Sequence, residues 1–310
     1  MPNDRLKSYL NLHLIVFIWG FTAVLGALIT IAADAIVWYR MLFAALFLGL
    51  YVFFSKKSFR IPWTSLLHLT FVGLLIALHW IFFFHAIHVS NVSITLSVFS
   101  LGAFLASLLE PLFYGRKVLW YEVFFGLVII AALSIIMRVE VNYFEGMLFA
   151  LVSIVLGVLF TLYNGKLIQK HDSAVITFYE FLAGVLFISC YFLLQNKFTL
   201  DFFTVSINNW LLLLVLSSVC TAYAFTASVK VMKQLSPYTV MLTTNLEPVY
   251  GIILAYFIIG GKEKMSASFY AGAIIIILTV ILNGVLKHQL NKKIKKNSSN
   301  IEENGFCATK

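Results

Sequence analysis

The chain has 310 residues, of which 61% are hydrophobic, 16% aromatic and only 11% charged, against roughly 25% charged in an average soluble domain. Too few polar residues remain to cover a globular surface in water, whereas a surface bathed in lipid needs none; disordered, collagen-like and disulfide-stapled classes are excluded by the same composition. The net charge of +9 fits either a nucleic-acid binder or the cytoplasmic loops of a membrane protein, and the positions of the cations decide between them.

Ten apolar stretches of helical length follow one another, separated by short polar breaks: residues 10–31, 35–54, 66–85, 92–113, 123–137, 143–163, 175–194, 210–229, 238–259 and 269–286. Most hold about 20 residues, which at about 1.5 Å rise each matches a hydrocarbon core of about 30 Å. The fifth is the shortest. Membrane-spanning strands would need an alternating pattern that is absent here, so the spans are expected to be helices.

Cytoplasmic loops collect Lys and Arg. With the N-terminus inside, alternate segments place 17 of the 22 Lys and Arg on the cytoplasmic side and 4 outside, with Arg40 inside a span. This predicts both termini in the cytoplasm. Cations spread over loop ends, with no basic face interleaved with aromatics, remove the case for nucleic acid. Residues 287–310 turn polar and read as a disordered basic tail that can touch anionic lipid. The first span is too long for a signal-peptide core and reads as retained.

The chain also repeats itself. An ungapped offset of 146 places Ser90 on Ser236, Gly115 on Gly261, Arg116 on Lys262 and Gly126 on Gly272, and the second and seventh spans correspond with Arg40 opposite Glu180. Two halves are expected, residues 1–138 and 139–286. Five crossings per half is an odd number, so the halves must run in opposite directions through the membrane, an arrangement common among secondary transporters. The expected fold is therefore an all-α membrane protein of ten transmembrane helices, two inverted five-helix repeats around a central cavity.

Several stretches resemble a known family: IWGFTAVLG in the first span, NLEPVYGIILAYFIIG in the ninth, and the GRK and GGKE turns before the fifth and tenth. Together with the ten-span pattern they resemble the drug/metabolite transporter superfamily, specifically its EamA-type members. That resemblance covers roughly residues 8–286. It implies a bacterial inner-membrane protein of two five-helix repeats that moves amino acids, metabolites or drugs, often outward, through a cavity between the repeats. The sequence departs from the family pattern in two places. Gly102 stands where the second half has Pro248, with Pro111 nine residues later, and the family's loop glutamate is displaced to Glu263.

An ionisable residue deep in a span costs roughly 2.5 to 3.5 kcal/mol on insertion scales and needs a reason. Glu247 lies mid-span beside Pro248, which removes a helical hydrogen bond and leaves the Thr244 carbonyl open; it is the first candidate for substrate or proton binding. His79 lies at similar depth and is a second candidate, either as its partner or as a packing residue. Arg40 and Glu180 are candidates for gating, with snorkelling or local pairing as the alternative. Trp19, Trp80 and Tyr223 are candidates for a cavity wall, and Thr95, Ser100, Thr243, Thr244 and Asn245 for hydrogen bonds to a substrate. Pro248 and Pro111 mark helix kinks, and Gly20, Gly26, Ala103 and Gly157 close helix contacts. Glu110 and Glu122 read as capping or interfacial residues near helix ends.

No P-loop, zinc-protease, nucleophile-elbow or dinucleotide motif occurs, so neither an enzyme nor a cofactor is expected. His79, His85 and His88 lack a cysteine or carboxylate at ligand spacing, so no metal is expected either. The expected partners are a small solute, the bilayer and protons as a coupling ion. Two other classes stay open: an exchanger of phosphorylated or nucleotide sugars, which would want more cations than Arg40 inside the spans, and a channel or sensor, which would want polar rings or an output domain.

Overall fold

Hydrocarbon offers the backbone no hydrogen bond, so each crossing must close its own. The computed structural model, which describes residues 2–260 and 265–307, is built from helices. In chain order these are α1 (Pro2–Leu28), α2 (Ala33–Phe54), α3 (Trp63–Val89), α4 (Val92–Phe99), α5 (Gly102–Tyr114), α6 (Trp120–Val139), α7 (Phe144–Leu167), α8 (Ser173–Leu194), the single turn α9 (Leu200–Phe203) and α10 (Ile207–Val215). A π-helical segment (Leu216–Tyr223) leads into α11 (Ala224–Val231), followed by α12 (Pro237–Thr244), α13 (Glu247–Ile258) and α14 (Ala267–Cys307). Nine stretches among the described residues are long and apolar enough to cross a bilayer, and a shorter apolar helix, Trp120–Ile136, falls where the fifth span was expected. The fourth, eighth and ninth crossings are compound: α4 with α5, α10 through the π segment to α11, and α12 with α13.

Helix α14 runs from Ala267 to Cys307. The displaced loop residue Glu263, with Gly261 and Lys262, lies outside the described residues.

A helix in lipid needs no polar face, so both sides of these helices are apolar and only packing tells them apart. On α2, Ile36, Met41, Ala44, Leu48 and Val52 are buried, whereas Leu46, Leu50, Phe53 and Phe54 are exposed to the surroundings. Helix α4 has no outer face: all eight of its residues are buried.

Ties between loops at each end agree with the alternation of crossings. At one end Lys57 pairs with Asp172, His171 meets the Ser65 hydroxyl, and the Tyr238 N–H donates to Glu110. At the other end Lys197 pairs with Asp34, the Asn209 amide donates to Thr30, and the Ser266 N–H donates to Glu140. Helices α2 and α8 therefore run antiparallel, with an ion pair at each end. The same sense holds for the compound crossings, since α4 packs on α13 and α5 on α12.

Helices α3 and α8 cross where glycines remove the spacing. A Cβ added at Gly73 would lie 2.3 Å from the Glu180 carbonyl oxygen and 2.9 Å from the Ala183 Cβ. Because backbone cannot yield as a flexible side chain does, Gly73→Ala is expected to cost about 1–3 kcal/mol, read as a lower unfolding temperature of the purified protein. Gly284→Ala, where an added Cβ meets nothing within 4 Å, is the control expected to leave that temperature unchanged or slightly raised.

Asp172 serves two elements. Its side chain caps α8 by accepting the Ala174 N–H at 2.9 Å and holds the Lys57 ammonium at 2.8 and 3.0 Å. Partial burial pushes its pKa up, but the Lys57 and Ala174 hydrogen bonds and the Lys57 charge outweigh that and hold it below the usual aspartate value. The contribution is thus present above the unfolded-state pKa and is lost as pH falls through the lower folded-state value. Asp172→Ala is expected to cost about 1 kcal/mol at neutral pH, and a pH series of unfolding temperatures should show variant and parent converging in acid.

Candidate functional site

The two broken crossings meet at their breaks. In the ninth, Pro248 has no N–H to give, and the turn ahead of it tightens: Leu246 N–H donates to Thr243 three residues back, and Val249 N–H to Leu246. The fourth breaks without proline. There Ser100 and Leu101 donate to Ser97 and Val98, and Gly102 permits close contact, since a Cβ on it would lie 2.8 Å from the Met241 methyl. The Asn245 amide donates to the Ser100 carbonyl at 2.9 Å, tying one break to the other. An offset of 146 puts Gly102 on Pro248, so equivalent positions break for different local reasons. Pro111 lies inside α5, eleven residues past Ser100, and does not set this break.

Beside the breaks lies a cavity of about 70 Å³ walled by α1, α2, α3, α4, α7, α11, α12 and α13. Six of the sequence candidates line it: Trp19, Arg40, His79, Trp80, Thr244 and Glu247. Thr22, Thr161, Asn164 and Ser228 line it as well and were missed, because a single hydroxyl or amide in an apolar helix gives no sign of which way it faces.

Arg40 does not snorkel. It is 2% exposed, its guanidinium carbon lies 3.8 Å from the Trp80 ring centre, and its Nε donates to the Thr221 hydroxyl at 2.5 Å. Stacking on an aromatic face and a bond to a buried hydroxyl replace part of the hydration that snorkelling would have kept. Thr221 reaches it from the π segment, where its own hydroxyl donates to the Leu216 carbonyl five residues back; the wider turn is a local distortion of a kind frequent at functional sites. Nη1 is buried with no hydrogen-bond partner among the described residues.

His79 is a wall residue bonded to α7 and not to Glu247. Its Nδ1 lies 2.7 Å from the Ser153 carbonyl, and the Ser153 hydroxyl donates to the His79 carbonyl at 2.8 Å. Gly157 makes room for the ring, since a Cβ there would lie 3.1 Å from the imidazole. Glu247, eleventh of the 22 residues of Pro237–Ile258, is 6% exposed and faces the cavity. Among the described residues its carboxylate has neither an ion pair nor a hydrogen bond.

Glu180 sits one layer behind the wall. It is fully buried, with one oxygen 3.4 Å from the amide of Asn164, which itself lines the cavity. The remaining candidates lie outside the wall. The Thr95 and Thr243 hydroxyls bond back to the Asn91 and Thr239 carbonyls of their own helices. Ser100 and Asn245 form the tie between the breaks. Tyr223, 48% exposed, points away towards Asn11.

Glu110 and Glu122 do more than cap. Arg116 donates from Nε to Glu110 at 2.5 Å and from Nη2 to Glu122 at 3.0 Å, and its guanidinium carbon lies 5.1 Å from the Tyr238 ring centre. The second Glu110 oxygen accepts the Tyr238 N–H at the start of α12. One arginine thus fastens α5 and α6 to α12 at the end of the molecule that carries Lys57 and Asp172.

A model of the EamA-like transporter family matches residues 6–138 and again residues 144–285. A protein of Archaeoglobus fulgidus described as an uncharacterized transporter is 24% identical over 293 residues, covering 91% of this chain and 99% of its own length. Among solved structures, one crystal structure aligns with a TM-score of 0.70 at 16% identity, covering 92% of this chain and 98% of the other; at that identity the likeness speaks to the fold alone.

Proposed function

Because the chain belongs to the EamA-like transporter family, we propose that it is a secondary carrier that exports amino acids or other small metabolites or drugs by alternating access. The observation that carries this reading is the cavity beside the two broken crossings, with Arg40 and Glu247 both facing into it. Breaks at mid-depth are where carriers built from inverted repeats tend to hold solute and ions. In this proposal the halves are residues 1–138 and 139–286, running in opposite directions, in a bacterial-type inner membrane; the excess of Lys and Arg on one side supports both termini lying in the cytoplasm.

In this reading each half takes in turn the conformation of the other, so the cavity opens first to one side and then to the other. Arg116 closes the cytoplasmic side by bridging the halves, and opening to that side must release it. Glu247 takes up a proton when the cavity is empty of solute, which couples flux to a proton gradient.

A panel of labelled amino acids and metabolites in proteoliposomes, with and without an imposed pH gradient, tests the proposal. Saturable counterflow of at least one solute is expected. Flux that never saturates and carries current would make the protein a channel instead.

A further inference from the structure

A groove of about 450 Å³ lies apart from the central cavity and shares no lining residue with it. It sits at the end of the molecule that carries Lys57 and Asp172, both of which line it. One side comes from α1 and α2, the other from the start of α8, the π segment and α11. Phe47, Tyr51 and Tyr223 in its lining are 37%, 51% and 48% exposed, so it opens to the surroundings, while Leu48, Ala222 and Ala227 are buried beneath. Polarity falls with depth. Lys57 follows the end of α2 and Lys230 lies in the last turn of α11, so both cations stand at the rim. On α2, Tyr51 and then Phe47 follow inwards, and on α11 Thr226 lies about 6 Å below Lys230, at 1.5 Å per residue. The charges of the lining do not cancel. Lys57 is held by Asp172 at 2.8 Å, whereas Lys230 is exposed and belongs to none of the four ion pairs among the described residues.

We infer that this groove binds one anionic phospholipid, with its phosphodiester against the Lys230 ammonium and one acyl chain laid along Phe47, Leu48 and Ala222. A lone lysine at a helix end reaches water by snorkelling; this one does so beside an apolar floor, which water wets poorly and a lipid chain fills. Basic pockets between membrane helices hold anionic headgroups by the same charge attraction. A lipid with a single net negative charge matches the one cation in excess. A zwitterionic headgroup brings its own ammonium, which offsets the attraction, and a free phosphate ester has no chain to leave in the groove. Since the lining comes from both halves of the chain, a lipid seated there also holds them together. None of this depends on the carrier reading, because the groove lies outside the cavity.

The test uses the purified full chain, delipidated in detergent, and native mass spectrometry with three probes: dioleoyl phosphatidylglycerol, dioleoyl phosphatidylcholine and sn-glycerol 3-phosphate. One phosphatidylglycerol per chain is expected, bound about fivefold more tightly than phosphatidylcholine, the size of one lysine near an anionic headgroup. Glycerol 3-phosphate at the same concentration should not displace it. In Lys230→Gln, a change at an exposed site, the preference should vanish, and in Lys230→Arg it should persist. Lys233 is exposed at the same end but does not line the groove, so Lys233→Gln removes the same charge and should leave the preference unchanged. The bound lipid should also raise the unfolding temperature of the parent and not that of Lys230→Gln. Equal binding of the two lipids, no binding of either, an equal loss in the two glutamine variants or displacement by glycerol 3-phosphate overturns the inference. Saturable counterflow of a solute would leave the carrier reading standing in each of those cases.

Discussion

Replacing Arg116 by glutamine is expected to destabilise the protein by about 3–5 kcal/mol, the usual cost of removing one member of a buried ion pair. The side chains of Glu110 and Glu122 are 5% and 1% exposed, and both lean on this one arginine. Without it two carboxylates would face each other with little access to water and no cation between them. The variant should melt at a clearly lower temperature than the parent. Arg116→Lys keeps the charge but lacks the fork that reaches both carboxylates, and should fall between parent and glutamine. A glutamine variant as stable as the parent would show that the cluster bears no load. Tyr238 starts α12 and receives both the Glu110 carboxylate on its N–H and the Arg116 guanidinium near its ring. On the carrier proposal, loosening the cluster is therefore also expected to change the balance between states open and closed at the end that carries Lys57 and Asp172, read by thiol labelling of a cysteine introduced into the cavity wall.

Glu247→Gln is expected to abolish the response of transport to an imposed pH gradient. Glutamine keeps the shape and can still accept a hydrogen bond, but it cannot take up and release a proton as a carboxylate does. Counterflow without a gradient should persist at raised solute concentration, while accumulation driven by the gradient should fall to the level seen without one. Coupling unchanged in this variant would remove Glu247 from the proton pathway. Glu180 supplies a contrast, since it lies behind Asn164 and not in the wall.

Much of this architecture is written in the sequence, because lipid acts on one residue at a time. Length and hydropathy are enough to count the crossings, even the short one at Trp120–Ile136, and the alternation of crossings anticipates which loops meet at each end, as in the Lys57–Asp172 and Lys197–Asp34 pairs. Glu247 and Pro248 stand out for the same reason: a charge and a missing N–H are conspicuous in an apolar helix. What only the tertiary structure decides is direction. An apolar helix in lipid has no polar face to orient it, so nothing in α7 marks Asn164 and Thr161 as wall residues, and nothing in α2 tells whether Arg40 will reach for water or fold over Trp80. The break at Ser100, made without proline, and the π segment that delivers Thr221 likewise depend on neighbours from the other half of the chain. Glu110 and Glu122 each pair with Arg116 six residues away, but their tie to Tyr238 exists only once α12 lies beside them. Solvent acts locally and can be read locally, whereas the cavity and its closure come from contacts between residues far apart in the chain, whose pairing exists once the helices are packed.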